Sequence, residues 1–156
     1  MSIMIVLGGG GHTFEMIKIT EELDLKDAVY VVNHDDHYSP LKIKNRRVHR
    51  VIRPRKPAEY SFMALLRFIL SFLNSLLLIL KLRPKVIVTN GPSISVPIGI
   101  VGKMLRIQLV YVESICRVYR LSLSGRVLLP LADLFIAQWP YLKKYSNKIV
   151  YAGRIF

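Results

Sequence analysis

Apolar and polar positions along the 156-residue chain repeat with two different periods. Ile3–Leu7 is an unbroken apolar run of strand length, and Ala28–Val32 is a second. Between them, Thr13–Leu23 has helical spacing, with Met16, Ile17, Ile19 and Leu23 on its predicted inward face. Val48–Ile52 alternates apolar and polar and predicts a third strand. Ser61–Leu82 predicts a long helix, Val86–Thr89 a fourth strand, and Val96–Leu105 a helix. Leu109–Val112 is a fifth strand, Arg126–Leu131 a short helix, and Asp133–Ala137 a sixth strand. A last helix opens at Gln138-Trp139-Pro140 and runs to Tyr145, and Ile149–Tyr151 closes the chain. Six strands alternating with helices predict an α/β, Rossmann-like, doubly wound parallel sheet, because such units cross over with one hand. The length suits a single domain over residues 1–156.

The junction of the first strand and first helix is Gly8-Gly9-Gly10-Gly11-His12. Glycines let the backbone turn tightly and bring its N–H groups to a ligand. A helix N-terminus adds unpaired donors and a partial positive charge, so a phosphate fits there. His12 adds a group that can exchange a proton near neutral pH. A nicotinamide site is disfavoured: the third fingerprint glycine is missing, and the second strand runs into Asn33 where an acidic ribose ligand is expected. Asn90-Gly91-Pro92-Ser93 forms a second strand-to-helix turn. It would face the glycine loop if the fourth strand lies on the far side of the first from the third. The segment from Asn33 to His37 reads as a polar loop, with no third anchored ligand to make it a metal site.

Charge is unevenly spread. The net charge is +13, yet residues 1–36 hold two basic and seven acidic side chains, against twenty-one and three in residues 37–156. Such a field selects anionic partners: phospholipid, pyrophosphate or nucleic acid. Eight Lys or Arg residues fall between Lys42 and Lys56, without aromatic interleaving or a recognition motif, so no nucleic acid is expected. One cysteine excludes an internal disulfide, and no secretory signal pattern opens the chain. Glu113 is the sole acid between Tyr60 and Ala132, and Arg117 is its obvious local partner.

Ser61–Leu82 is long enough to span a bilayer. Arg67, Ser71, Asn74 and Ser75 trace a polar stripe along it, and both flanks are basic. Because it also joins two strands of one sheet, an amphipathic helix resting partly on the sheet and partly in the membrane interface is expected. Arg53, Arg55, Lys56, Phe62, Leu65, Leu66, Phe68, Ile69, Phe72 and Leu73 are the membrane-associating candidates.

The order of motifs is distinctive: the glycine–histidine loop, Asn-Gly-Pro, YVESICRV, LSLSG, and Asp133-Leu-Phe followed by Gln138-Trp139-Pro140. Together they resemble the asparagine-linked-glycosylation-fourteen family over nearly the whole chain. More distantly the chain is similar to the N-terminal half of the lipid II-forming transferase MurG. The resemblance implies the acceptor half of a GT-B glycosyltransferase, its donor half being a separate subunit similar to the asparagine-linked-glycosylation-thirteen family. It implies transfer of a sugar, N-acetylglucosamine in the dolichol-pathway members, from a UDP-sugar to a polyprenyl-(pyro)phosphate-linked sugar. Inversion is expected, with no cofactor and no metal. His12 would be the general base or orient the hydroxyl, and Glu113 would orient His12 or hold a sugar hydroxyl. Gly8, Gly9, Gly10, Gly11, Thr13, Asn90, Gly91, Ser114 and Arg117 would surround the acceptor phosphates. Eukaryotic members carry an N-terminal membrane anchor; here the first strand comes almost at once, which suggests a prokaryotic-type member on the cytoplasmic face of a membrane. A non-catalytic membrane-recruiting adaptor shares every one of these features.

Overall fold

The computed structural model describes residues 2–23, 25, 27–43, 46–54 and 61–154. Seven parallel strands form one sheet in the order β3-β2-β1-β4-β5-β6-β7. They are β1 (Ile3–Val6), β2 (Ala28–Asn33), β3 (Arg47–Val51), β4 (Val86–Thr89), β5 (Gln108–Val112), β6 (Leu134–Ala137) and β7 (Ile149–Tyr151). The helices are α1 (Gly11–Glu22), α2 (Ser39–Lys42), α3 (Ser61–Leu82), α4 (Ser95–Met104) and α5 (Leu123–Leu128), with a 3-10 helix at Pro140–Tyr145.

The doubly wound expectation holds, with one more strand than the pattern predicts. Ile149–Tyr151 pairs with β6 in register Phe135↔Ile149, so the closing segment is a seventh, edge strand. α2 is too short to leave a periodic signature. α1 begins at Gly11, two residues before the predicted start, so His12 lies in its first turn.

Alternation along the central strand divides the core. Met4 and Val6 point to the face covered by α3, α4 and α5, where Ile79, Ile98, Val101 and Leu128 bury. Ile5 and Leu7 point to the other face, with Met16 of α1 and Ile43 after α2. α1 turns Thr13, Met16 and Thr20 inward, whereas the predicted inward residue Leu23 is 60% exposed.

α3 is amphipathic with its polar stripe turned inward. Ser71 and Ser75 are fully buried, and the Ser75 hydroxyl donates to the Ser71 carbonyl at 2.7 Å. Asn74 Oδ1 accepts from the Ile52 N–H at 3.2 Å, tying the helix to the end of β3. The outward side is apolar: Phe62 is 75% exposed and Leu77 67%, with Leu65, Leu66, Ile69 and Leu73 also exposed. Phe72 is a correction to the membrane-facing set, because it packs on the core, and Phe68 is only half-exposed. Arg55 and Lys56 lie outside the described residues. By length and composition, α3 is apolar enough to cross a membrane from Phe62 to Leu82, with a mean hydropathy of 2.2.

Candidate functional site

The strand order reverses at β1, which pairs with β2 on one side and β4 on the other. Loops leaving β1 and β4 therefore diverge and leave a crevice at the carboxyl end of the sheet. Gly8 lies so close to Pro92 of the facing loop that a Cβ there would overlap the proline ring. Gly10 takes φ 67°, a conformation that favours glycine, and starts α1 with no side chain capping the helix. The first N–H groups of α1 are thus left for a ligand.

His12 stands in this first turn. Its carbonyl accepts from Asn90 Nδ2 at 2.7 Å, which joins α1 to the β4 loop. Its Nδ1 is buried with no partner among the described residues. Burial pushes the imidazole pKa below histidine's ordinary 6.5; the Glu15 charge opposes this in part, and Arg117 adds to the fall. The ring is therefore neutral at pH 7 and able to take a proton.

A cleft of about 260 Å³ opens here, lined by Gly8, Gly9, His12, Asn33, Arg53, Gly91, Pro92 and Ser93. Asn33 Oδ1 and Asn90 Oδ1 are also buried without partners. Buried polar atoms are nearly always paired, so three without a partner among the described residues, in and beside one cleft, suit a polar ligand there.

Glu15 organises the site from below. It is buried and accepts from Asn90 Nδ2 at 3.1 Å, Ser114 Oγ at 3.0 Å and the Ile115 N–H at 2.9 Å. One carboxylate thereby holds together α1, the β4 loop and the β5 loop. Neither Glu15 nor Asn33 was among the site residues expected from the sequence. Glu15 had a signal, being three residues after His12 and so on the same side of a helix. Asn33 had the weaker one of ending the strand beside β1.

Several expected contacts are committed elsewhere. The Gly9 N–H donates to Asp36 Oδ2 at 3.2 Å, and the Thr13 hydroxyl is buried against Ser39 Oγ at 2.6 Å, leaving Thr13 only its backbone for a ligand. Ser114 Oγ is spent on Glu15. Arg53, expected on the membrane flank, lines the cleft and pairs with Asp35 at 3.0 Å. Asp36 also accepts from the N–H groups of Tyr38 and Ser39, so the 33–37 loop is a structural latch; burial raises the Asp36 pKa, but the Ser39 and Tyr38 bonds outweigh it and leave it low. Among the described residues no group of three His, Cys, Asp or Glu is arranged to hold a metal.

The model of the family "Oligosaccharide biosynthesis protein Alg14 like" matches residues 3–155. The chain belongs to the Alg14 family. It is 35% identical to the UDP-N-acetylglucosamine transferase subunit ALG14 of Mus musculus, a match covering 99% of this chain and 83% of that protein. The same-named protein of Candida albicans is 32% identical, over 97% and 76%. Among solved structures, MurG of Acinetobacter baumannii superposes with a TM-score of 0.75 at 14% identity, over 90% of this chain and 42% of that one. A UDP-N-acetylglucosamine 2-epimerase from Rickettsia bellii superposes with a TM-score of 0.74 at 13% identity, over 99% and 45%. These likenesses place the Alg14-family sheet among the halves of GT-B proteins.

In this Alg14-family chain the YVES, LSLSG and Gln-Trp-Pro motifs meet in one buried network. Glu113 is fully buried and accepts from the Ser114 N–H at 3.1 Å and from the N–H and hydroxyl of Ser122 at 3.0 and 3.1 Å. Ser122 Oγ, having donated to Glu113, accepts from the Gly125 N–H and lies 2.9 Å from the Tyr111 hydroxyl, which then donates. Gln138 Nε2 donates to the Glu113 carbonyl at 3.0 Å, and Trp139 Nε1 to the Ile115 carbonyl at 2.6 Å. Burial raises the Glu113 pKa against these bonds. The Arg117 partnership read from the sequence is replaced by Ser122: Arg117 is exposed and acts on Glu113 only through its charge. The carboxylate whose charge bears on His12 is Glu15.

Proposed function

We propose that this chain is the acceptor-binding subunit of a membrane-associated, inverting glycosyltransferase. It passes N-acetylglucosamine from UDP-N-acetylglucosamine to a polyprenyl-pyrophosphate-linked sugar, with the donor held by a partner subunit. The observation that carries this reading is the neutral His12 imidazole, its Nδ1 buried without a partner among the described residues, beside an uncapped helix N-terminus. Supporting it, the curated relatives are each named as a subunit of a UDP-N-acetylglucosamine transferase. The acceptor pyrophosphate lies against the N–H groups at the start of α1, with Arg53 nearby. The acceptor hydroxyl attacks the anomeric carbon, the bond to UDP breaks, and the hydroxyl proton passes to His12. α3 rests its apolar side in the membrane interface. Both ends of α3 lead into strands of the same sheet, which favours lying on the membrane over crossing it.

The test is sugar transfer in membranes carrying this chain with and without a candidate partner subunit, using a panel of labelled UDP-sugars. Transfer should need both chains and fail in His12→Ala while the partner still co-purifies. Transfer by this chain alone would refute the split enzyme. Normal transfer by His12→Ala would remove the base and leave the adaptor reading ahead.

A further inference from the structure

A second cavity adjoins the His12 cleft and differs from it in chemistry. It encloses about 410 Å³ between the starts of α3 and α4 and the length of α5. Ala64 and Phe68 line it from α3, Val96 from α4, and Leu123 and Val127 from α5; among the described residues none that lines it is charged. Two features set it beside the cleft. Ser93 lines both, and Arg53, which lines the cleft, is followed directly by Pro54, which lines the groove. Leu123, which lines it, is exposed, and so are Phe62 and Leu65, the α3 residues within two positions of Ala64. Apolar surface gathered around an apolar groove marks a binding surface.

We propose that this groove holds the first isoprene units of the lipid-linked acceptor, a step that rests on the acceptor reading above. A polyprenyl pyrophosphate changes from charged head to branched hydrocarbon across a single bond. Its site must change character just as abruptly, and the boundary at Ser93 and Pro54 does so. Beyond the groove, the tail meets the outward side of α3, which is apolar along its length.

The experiment is photolabelling of the full chain together with its partner subunit. The probe is farnesyl pyrophosphate carrying a diazirine on its first isoprene unit, and labelled peptides are mapped by mass spectrometry. Label should fall on the peptides holding Ala64–Phe68 and Leu123–Val127 and be competed by unlabelled polyprenyl pyrophosphate. Val127→Trp and, separately, Ala64→Trp should each fill the groove and cut labelling about tenfold or more. Label confined to other peptides, or undiminished in both variants, overturns the groove. Loss of groove labelling with sugar transfer intact rejects this inference alone. Groove labelling in a preparation that transfers no sugar upholds the groove and rejects the acceptor function.

Discussion

Replacing Glu15 by glutamine removes one buried charge while keeping side-chain length. The carboxylate now takes Ser114 Oγ and the Ile115 N–H on one oxygen and Asn90 Nδ2 on the other. An amide has one oxygen. If it serves Ser114 and Ile115, its NH2 group faces Asn90 Nδ2, donor against donor. Turning the Asn90 amide would offer Oδ1, which has no partner now, but would break the bond from Nδ2 to the His12 carbonyl. Either way one buried hydrogen bond is lost, at a cost of about 1–3 kcal/mol. For a chain of this size that lowers Tm by roughly 2–10 °C. Glu15→Ala would strand all three donors and cost about 3–6 kcal/mol, comparable to the whole stability of many domains, so glutamine is the informative change.

The same substitution moves a titration. Burial holds the His12 pKa below 6.5, and the Glu15 charge is the chief opposing influence. Without that charge the pKa falls further. A general base works only when unprotonated, so the acid limb of kcat/KM lies below pH 6.5 in the wild type and lower still in Glu15→Gln. The stability linkage has the same sign. A histidine with a lowered folded pKa contributes fully above its unfolded value and loses that contribution as pH falls through the folded one. The assay is the pH profile of sugar transfer, each variant normalised to its own maximum, beside thermal unfolding by circular dichroism. An acid limb that stays in place or rises refutes the coupling of Glu15 to His12. An unchanged Tm refutes the three-bond anchorage.

Two further outcomes follow from the geometry. In Glu113→Gln the new amide meets the Ser114 N–H donor to donor, so stability should fall by about 1–3 kcal/mol in urea unfolding. Because burial raises the Glu113 pKa, the wild type loses stability as pH climbs from 4.5 through the folded value; the neutral variant lacks that loss, so the gap should narrow over this range, and a widening gap would refute the assignment. Leu73→Ser with Leu77→Ser should weaken sedimentation with anionic phospholipid vesicles by at least about 2 kcal/mol, roughly thirtyfold, because both side chains face outward. Tm should barely move, and unchanged vesicle binding would place the membrane contact elsewhere on the chain.

The sheet was legible because its inner strands read as short apolar runs between loops and β3, at one edge, by its alternation. β2 is buried at all six positions. β7 was not read as a strand because an edge strand of three residues, only Ile149 of it buried, carries almost no pattern. The glycine loop and the Asn-Gly-Pro turn were legible as strand-to-helix turns, since strand–loop–helix junctions announce themselves locally. What holds them together was less so. Glu15 reaches Ser114 across 99 residues of sequence, and only the strand order brings α1 and the β5 loop into reach. Glu113 drew attention by being isolated in sequence. The structure accounts for that isolation through burial, which tolerates a carboxylate only where nearby donors converge on it.

α3 shows why periodicity identifies a stripe but not the side it faces. A helix with a polar stripe ordinarily turns it to water. Here two of the polar groups are spent at home: Ser75 on the carbonyl one turn earlier, Asn74 on the backbone of Ile52. Small serines suit close packing, and α3 lies against α4 with Ser75 inside and Ser71 beside it, its hydroxyl without a partner among the described residues. The same arrangement leaves leucine, isoleucine and phenylalanine outward in a row. Polar residues at those outer positions would cost the fold nothing, since they touch no core, so the apolar row is not explained by folding. The membrane contact proposed above would account for it. Because α3 also lines the apolar groove through Ala64 and Phe68, and Ser93 lines both that groove and the cleft at His12, the outward side of α3, the groove and the cleft are neighbours in the order the proposed acceptor would need.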